Sequence, residues 1–201
     1  MADYCTVDDL ADFMHVVDQQ ERAQFESLIT EASRLIDTET KTTFEPAAAS
    51  ATARLFVARY EDLIYVDPIS STTDLVIETQ PSVGADWVTW DAADYQLEPL
   101  NQRAHGIDNH AYWCVRAVRS RGFPVGQPAR VRITARWGWV DGTPELVSGA
   151  CKTIVKAMHA QRTAQGDVVA IAEGMATRVY MLSKDAAARL RPVTRPDVWP
   201  T

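Results

Sequence analysis

The stretch that decides the fold is ARVRITARWGWVDGTPELVSGACKTIVKAMHAQR, residues 129–162. Its first part alternates apolar and polar side chains with a period of two, which predicts a strand with one buried face. The inward set is Val131, Ile133, Ala135 and Trp137, and the outward set is Arg130, Arg132, Thr134 and Arg136. The second part predicts a helix over residues 144–164, with Thr143 as its cap and Pro144 in its first turn.

Two further helices are predicted before residue 46. Thr6 and Asp9 suit the capping box of a short first helix. A longer helix follows, whose apolar side chains recur at the 3.6-residue period and form one buried face. These side chains are Phe25, Leu28, Ile29, Ala32, Leu35 and Ile36. The helix should end before Phe44-Glu45-Pro46, because the residue ahead of a proline avoids helical backbone angles.

The middle of the chain has the pattern of a β section. Between residues 52 and 135, six or seven strand-like segments are separated by turn-forming residues. The segments are LFVARY, LIYV, TDLVIET, DWVTW, YQLEPL, AYWCVRAV and VRITARW, and the turn formers include Pro68, Pro81, Gly84, Pro99 and Gly122. Residues 101–110 are polar and predict an exposed loop.

These elements together predict an α+β fold, a helical core that carries a β-rich insertion. We expect one domain over residues 1–201, with the N-terminal helices in 1–46 and the insertion in 52–140. The long core helix occupies 143–166. A strand is expected near residues 177–181, and a short helix with an extended, proline-rich tail in 183–201.

Composition is that of an ordinary soluble domain, with 46% hydrophobic and 23% charged residues. No segment is long and apolar enough to span a membrane, and the acidic N-terminus predicts no secretory signal. The three cysteines, Cys5, Cys114 and Cys151, are widely spaced and form no CxxC motif. Such a sparse, odd set predicts free, half-buried thiols in a reducing cytosol.

Charge is distributed unevenly along the chain. Residues 1–100 carry 5 Lys and Arg against 20 Asp and Glu, whereas residues 101–201 carry 15 against 7. One interpretation is a protein whose unlike surfaces meet copies of itself or partners head to tail. The other is that the two halves pair their charges internally. The sequence leaves both open.

Motif-borne chemistry is not indicated. There is no P-loop, GxGxxG, nucleophile elbow or HExxH motif, so we expect neither an enzyme nor a cofactor. His105, Asp108 and His110 share one loop and are the best metal candidates. A metal site of this kind usually needs a third fixed ligand and supporting residues around the ligands, and neither is evident. His15 and His159 lie late in their helices, where an imidazolium suits the dipole. We expect structural histidines and no metal.

Two charged clusters are the remaining candidate sites. An acidic run alternates with aromatic residues, which favours a half-solvated strand pair over catalytic carboxylates. Its members are Asp86, Asp91, Asp94 and Glu98. A basic cluster suits contact with phosphates or with an acidic protein neighbour, of which we favour the protein, or a solvated sheet face paired across strands. Its members are Arg116, Arg119, Arg121, Arg130, Arg132 and Arg136. No module for reading DNA sequence is present.

The order of several segments resembles the head–tail connector, or adaptor, proteins of long-tailed bacteriophages. The matching segments are YCTVDDL (4–10), LITEASRLID (28–37), FEP (44–46), RWGW (136–139), TPEL (143–146) and the passage from SKD (183–185) to RP (191–192). They span nearly the whole chain, and their order rather than any single motif carries the resemblance. The β section is longer than in compact members of that family.

The resemblance implies a structural virion protein of the neck. Such a protein binds below the portal, forms a dodecameric ring that extends the channel for double-stranded DNA, and docks the next stopper or tail-terminator protein. It implies synthesis in the bacterial cytoplasm and no membrane. The tail residues Arg189, Arg191, Arg195 and Trp199 are expected to bind the portal, because family members grip it with terminal segments.

The resemblance also implies a location for each charged cluster. A closed ring needs two unlike patches on each copy. We expect Arg116, Arg119, Arg130, Arg132 and Arg136 at a subunit or partner interface, and the acidic run of residues 86–98 along the channel. Two alternatives are a tail-completion or stopper protein that closes the channel with the 101–110 loop, and a small metal-dependent hydrolase that uses His105, Asp108 and His110.

Overall fold

The structure, a computed structural model, describes residues 2–16, 18–107, 110–164 and 183–195. The predicted strand near residues 177–181, Asp108 and Trp199 lie outside these residues. The described chain has an α+β fold, as predicted. It divides into a helical unit, Met1–Phe44 with Thr143–Pro196, and a sheet unit, Glu45–Gly142. The predicted β-rich insertion, residues 52–140, falls inside the sheet unit.

The helical unit contains α1 (Val7–Met14), α2 (Gln19–Thr40), α3 (Glu145–Ala164) and α4 (Lys184–Leu190). The predicted capping box at α1 is confirmed, because the Thr6 hydroxyl accepts the Asp9 N–H at 3.1 Å and the Asp9 carboxylate accepts the Thr6 N–H at 3.4 Å. α3 packs against both α2 and α4. The predicted face of α2 is buried, apart from half-buried Leu35.

Two local features of the helical unit differ from the predictions. The Thr143 hydroxyl, expected to cap α3, donates to the carbonyl of Phe44 at 3.2 Å. The segment after α4, expected to be extended, forms a short 3₁₀ turn over Arg191–Val193. Val193 is buried there, and the Arg195 N–H donates to the carbonyl of Thr40 at 3.0 Å. Packing of Val193 and this backbone bond outweigh the preference of a proline-rich segment for extended chain.

The sheet unit contains β1 (Thr52–Phe56), β2 (Leu63–Thr79), β3 (Val88–Thr89), β4 (Tyr95–Glu98), β5 (Tyr112–Ala117) and β6 (Val131–Trp137). The strand order is β1-β6-β2-β5-β4, with β3 paired to β2, and every pairing between these strands is antiparallel. β6 alternates buried and half-buried residues along its whole length, as predicted. Its inward side chains join a core with Ile64, Val66, Ile77, Val115 and Phe123.

β2 replaces two predicted strands and the turn between them. Pro68 was expected to end the first strand, but β2 continues through it. The strand changes partner there: Leu63–Ile69 pairs with β5, and Ile69–Thr79 pairs with β6. The carbonyl of Pro68 accepts the Gly138 N–H at 2.8 Å. Because proline lacks only the donor, its carbonyl still supports the ladder at this change of partner.

The first and last segments of the sheet unit, residues 45–48 and 137–139, are joined by backbone hydrogen bonds. The N–H groups of Ala47 and Ala48 donate to the carbonyls of Trp139 and Trp137, at 2.9 and 2.8 Å. The Trp139 N–H donates in turn to the Glu45 carbonyl at 2.9 Å. Gly138 lies between these bonds with φ +121°, and an added Cβ would be 2.5 Å from the Pro46 oxygen. The glycine of the WGW motif is therefore required by this close backbone approach.

Candidate interaction surfaces

Five of the six arginines of the predicted basic cluster form ion pairs within the sheet unit. Arg132 on β6 lies opposite Glu78 on β2 and binds it with two nitrogens, at 2.6 and 2.7 Å. This fork-to-fork geometry is the strongest arrangement available to a guanidinium and a carboxylate. The hydrogen bonds from Arg132 lower the pKa of Glu78. Arg132 also lies over the ring of Trp87, 4.4 Å from its centroid.

Arg136 and Arg130 also bond within the unit. The Nη2 atom of Arg136 is 2.6 Å from Oδ2 of Asp74. Arg130 uses its guanidinium on backbone instead, donating to the carbonyls of Pro81 at 3.0 Å and Val125 at 2.7 Å. It thereby joins two loops at the end of the sheet.

A second cluster of pairs lies where β4 and β5 meet. The Nε atom of Arg116 is 2.7 Å from Oε1 of Glu98, and its Nη1 atom is 3.1 Å from Oδ2 of Asp62. Asp94 accepts from Arg121 at 2.9 Å, and Arg119 lies 3.9 Å from the same carboxylate. Two of the four predicted channel-lining acids therefore have arginine partners in their own subunit.

Asp94 is held ionised by its neighbours. Burial by itself raises the pKa of this carboxyl group, but hydrogen bonds from Arg121 and from the Asp91 N–H outweigh burial and lower its pKa. Asp94 is buried and Glu98 half-buried, whereas Asp86 and Asp91 are exposed. Only the last two lie at exposed positions, and Asp91 also takes part in a capping box with Asp94.

The ion pairs show that internal charge pairing, one of the two interpretations of the charge asymmetry, occurs within the sheet unit. Apart from Arg54 with Asp67, which both belong to residues 1–100, each pair joins an acid from residues 1–100 to an arginine from residues 101–201. The pairs are Arg116 with Glu98 and Asp62, Arg121 and Arg119 with Asp94, Arg132 with Glu78, and Arg136 with Asp74. The two halves of the sequence thus neutralise each other across strands. Arg119 remains the most exposed of these arginines, with 65% of its side chain accessible.

An apolar surface at the edge of the sheet was not predicted. β1 pairs with β6 alone among the described strands, and its residues are exposed except for Phe56. Leu55 and Tyr60 are 60% and 47% exposed, and they line an open pocket of about 380 Å³ with Val57, Leu63 and Tyr65. The LFVARY segment predicted a strand, but sequence alternation does not show which strand lies at an edge. An exposed edge beside apolar side chains is a typical pairing surface.

The predicted portal-binding arginines lie at the end of the helical unit. Arg189 is exposed on α4 and extends across Gly149 of α3, where an added Cβ would be 2.9 Å from its Nη1 atom. Arg191 is exposed and Arg195 is half-buried. Trp199 lies outside the described residues.

The histidine loop does not assemble a metal site among the residues that the structure describes. His105 is exposed, whereas His110 is buried with its ring 4.7 Å from that of Trp139. The Nδ1 atom of His110 lies 2.9 Å from the Ala111 carbonyl, and burial lowers the pKa of His110. Within the described part of the chain, no group of three or more His, Cys, Asp or Glu is placed to hold a metal ion. The geometry of His110 is that of a structural histidine.

None of the described helices is long and apolar enough to cross a membrane.

The sequence matches no protein-family model and no curated protein. One similar solved structure is from the neck of an empty GTA particle computed with C6 symmetry: 14% identity, TM-score 0.47, covering 98% of this chain and 93% of that chain. Another is from the neck of a native GTA particle computed with C12 symmetry: 16% identity, TM-score 0.44, covering 96% and 91%. No family membership follows from these remote likenesses.

Proposed function

We propose that this protein is a structural component of a phage neck, a head-to-tail adaptor that binds below the portal. In this proposal, copies form a dodecameric ring that extends the DNA channel and docks the next stopper or tail-terminator protein. The observation that carries it is the interrupted helical unit: segments before residue 45 and after residue 142 pack as one unit, and the whole sheet is inserted between them. This is the architecture that the connector resemblance implies.

The exposed edge of β1 supports an assembly role. Its outer side, where no other described strand pairs with it, offers backbone hydrogen-bonding groups, and Leu55, Val57 and Tyr60 add apolar area. We assign this edge to contact with a second copy of the chain. A closed ring needs a different patch on the neighbouring copy. Our candidate for it is the cluster of arginines expected at an interface, of which Arg119 is the most accessible. Its members are Arg116, Arg119, Arg130, Arg132 and Arg136.

We assign the proposed channel and portal contacts first to the candidate residues whose side chains are exposed. Asp86 and Asp91 are the acids available to line a channel, where negative charge would keep DNA from adhering. Asp94 and Glu98 belong to the same acidic run but are already engaged by arginines. Arg189 and Arg191 are the exposed members of the proposed portal contact, with Arg195 and Trp199 as the further candidates.

The experiment is co-expression of the chain with the portal protein of the same virus, followed by purification and electron-microscope imaging. The wild type is expected to add a collar to the portal ring. Leu55→Asp should abolish or sharply reduce collar formation, because it places a charge in the apolar contact. The matched control is Val83→Asp, since Val83 is 70% exposed in a separate loop of the sheet unit. A wild-type chain that never joins the portal contradicts the proposal.

A further inference from the structure

Two cysteines that are far apart in the sequence meet inside the helical unit. The Sγ atoms of Cys5 and Cys151 are 3.5 Å apart, although the residues are 146 positions apart. Both are free thiols. Cys5 is 8% exposed and Cys151 is fully buried. The separation of the two sulfurs exceeds a disulfide bond by about 1.5 Å.

The pair lies where three parts of the helical unit converge. Cys5 precedes the Thr6 cap of α1, and Cys151 lies in α3. The Ser33 hydroxyl of α2 is 3.8 Å from the Cys151 sulfur and accepts the Tyr4 N–H at 3.1 Å. A covalent bond here would fasten the N-terminal segment to α3.

The surroundings make the two sulfurs chemically different. The hydrogen bond with Cys151 lowers the pKa of Cys5, burial opposes this, and nearby Lys152 adds to the lowering. The pKa of Cys151 is raised, mainly by the same hydrogen bond and by burial. Cys5 is therefore the sulfur that ionises first, and it is also the one with access to solvent.

We propose that Cys5 and Cys151 are an oxidation site that forms an intramolecular disulfide with a peroxide as the oxidant. The Cys5 thiolate attacks one peroxide oxygen, the O–O bond breaks, and the hydroxide that leaves takes up a proton to become water. Cys5 is now a sulfenic acid. The Cys151 sulfur attacks the Cys5 sulfur, the S–O bond breaks, and a second water leaves with the Cys151 proton. Two thiols are oxidised and one peroxide is reduced to two waters.

The biological setting of this reaction rests on the proposed function, but the chemistry does not. A neck protein is made in a reducing cytosol and then persists in a particle released into an oxidising medium. The thiols would stay reduced during assembly and become a cross-link afterwards. Because a cross-link restricts the unfolded chain, it would strengthen the helical unit in the released particle.

Cys114 provides an internal control. It lies in β5 of the sheet unit, where burial raises its pKa to about 12. It is therefore expected to remain a thiol under oxidation that joins the other two cysteines.

The experiment treats the reduced, full-length protein with hydrogen peroxide, removes the peroxide, and then unfolds and alkylates the protein. One thiol per chain should remain reactive, and trypsin should release residues 1–22 joined to residues 137–152. A reductant should restore all three thiols. Oxidation should raise Tm by about 5 °C in the wild type and in Cys114→Ser. It should leave Tm unchanged in Cys5→Ser.

Three reactive thiols after oxidation, or a disulfide between two chains, would overturn the inference. If Cys5→Ser fails to fold, the wild-type peptide map decides alone. Collar formation on the portal is measured with reduced protein. Failure of the disulfide therefore leaves the proposed function standing, and failure of the collar leaves the disulfide standing.

Discussion

Arg116 and Glu98 hold two neighbouring strands together, with the Nε atom of Arg116 2.7 Å from Oε1 of Glu98. The connector resemblance assigned these residues to different surfaces, Arg116 to a subunit or partner interface and Glu98 to a channel. Each has a partner within its own subunit. A substitution at either position therefore changes the stability of the sheet unit as well as any contact with another molecule.

Glu98→Lys should lower the stability of the protein. It removes the carboxylate that Arg116 binds and places a second positive charge beside the guanidinium. We expect Tm to fall by about 4 °C in thermal unfolding. Asp86→Lys makes the same charge change at an exposed position and should leave Tm nearly unchanged. Equal Tm values for the two variants would contradict the structural role of the pair.

The channel prediction is better tested at Asp86 and Asp91, because both are exposed. In assembled virus particles, the double variant with lysine at both positions should release DNA more slowly than the wild type. Positive charge on the channel wall would bind phosphates. Fluorescence of a DNA-binding dye after triggered ejection measures the rate. Glu39→Lys, at an exposed position on α2, is the control, and an unchanged rate in the double variant would remove these acids from the channel.

Glu78 should make stability depend on acid pH. Hydrogen bonds from Arg132 lower the folded-state pKa of Glu78, so ionised Glu78 stabilises the fold above its unfolded pKa. That contribution should be lost as pH falls through the lower folded value. Urea unfolding at pH 6 and at pH 3.5 should show a smaller loss of stability for Glu78→Gln than for the wild type. Parallel losses in both proteins would show that the pair carries no pH dependence.

Gly138→Ala should destabilise the protein severely. The added Cβ would be 2.5 Å from the Pro46 oxygen, at a backbone φ of +121°. Backbone must move to relieve this contact, so we expect a loss of about 3 kcal/mol or more in the free energy of unfolding. Gly84→Ala is the matched control, since Gly84 has φ +82° and no atom lies within 4 Å of where an added Cβ would be. It should cost only about 1 kcal/mol.

The sequence predicted the elements whose burial follows one local period. β6 alternates as its letters indicated, and α1 begins at its capping box. Pro68 misled the prediction because a proline that needs only to accept a hydrogen bond looks the same in sequence as one that ends a strand. The partner of Arg132 was likewise unpredictable, because Glu78 becomes its neighbour only through the register of β2 with β6.

The candidate surfaces, like the fold, could be predicted from the sequence only in part. The arginines and acids were found in the sequence by type and clustering, but their mutual pairing depends on strand order. The apolar edge at Leu55 was missed, because a strand's place at the end of a sheet is set by contacts between distant segments. The meeting of Cys5 and Cys151 arises from packing between the N-terminal segment and α3 for the same reason.

The most direct test of the central claim is the mass of the complex between this chain and the portal of the same virus, measured by native mass spectrometry. The proposal predicts a closed, dodecameric collar of this chain on each portal ring. Loss of the collar in Leu55→Asp but not in Val83→Asp would show that the collar forms through the β1 edge. A portal ring that carries no copies of the wild-type chain would contradict the proposal.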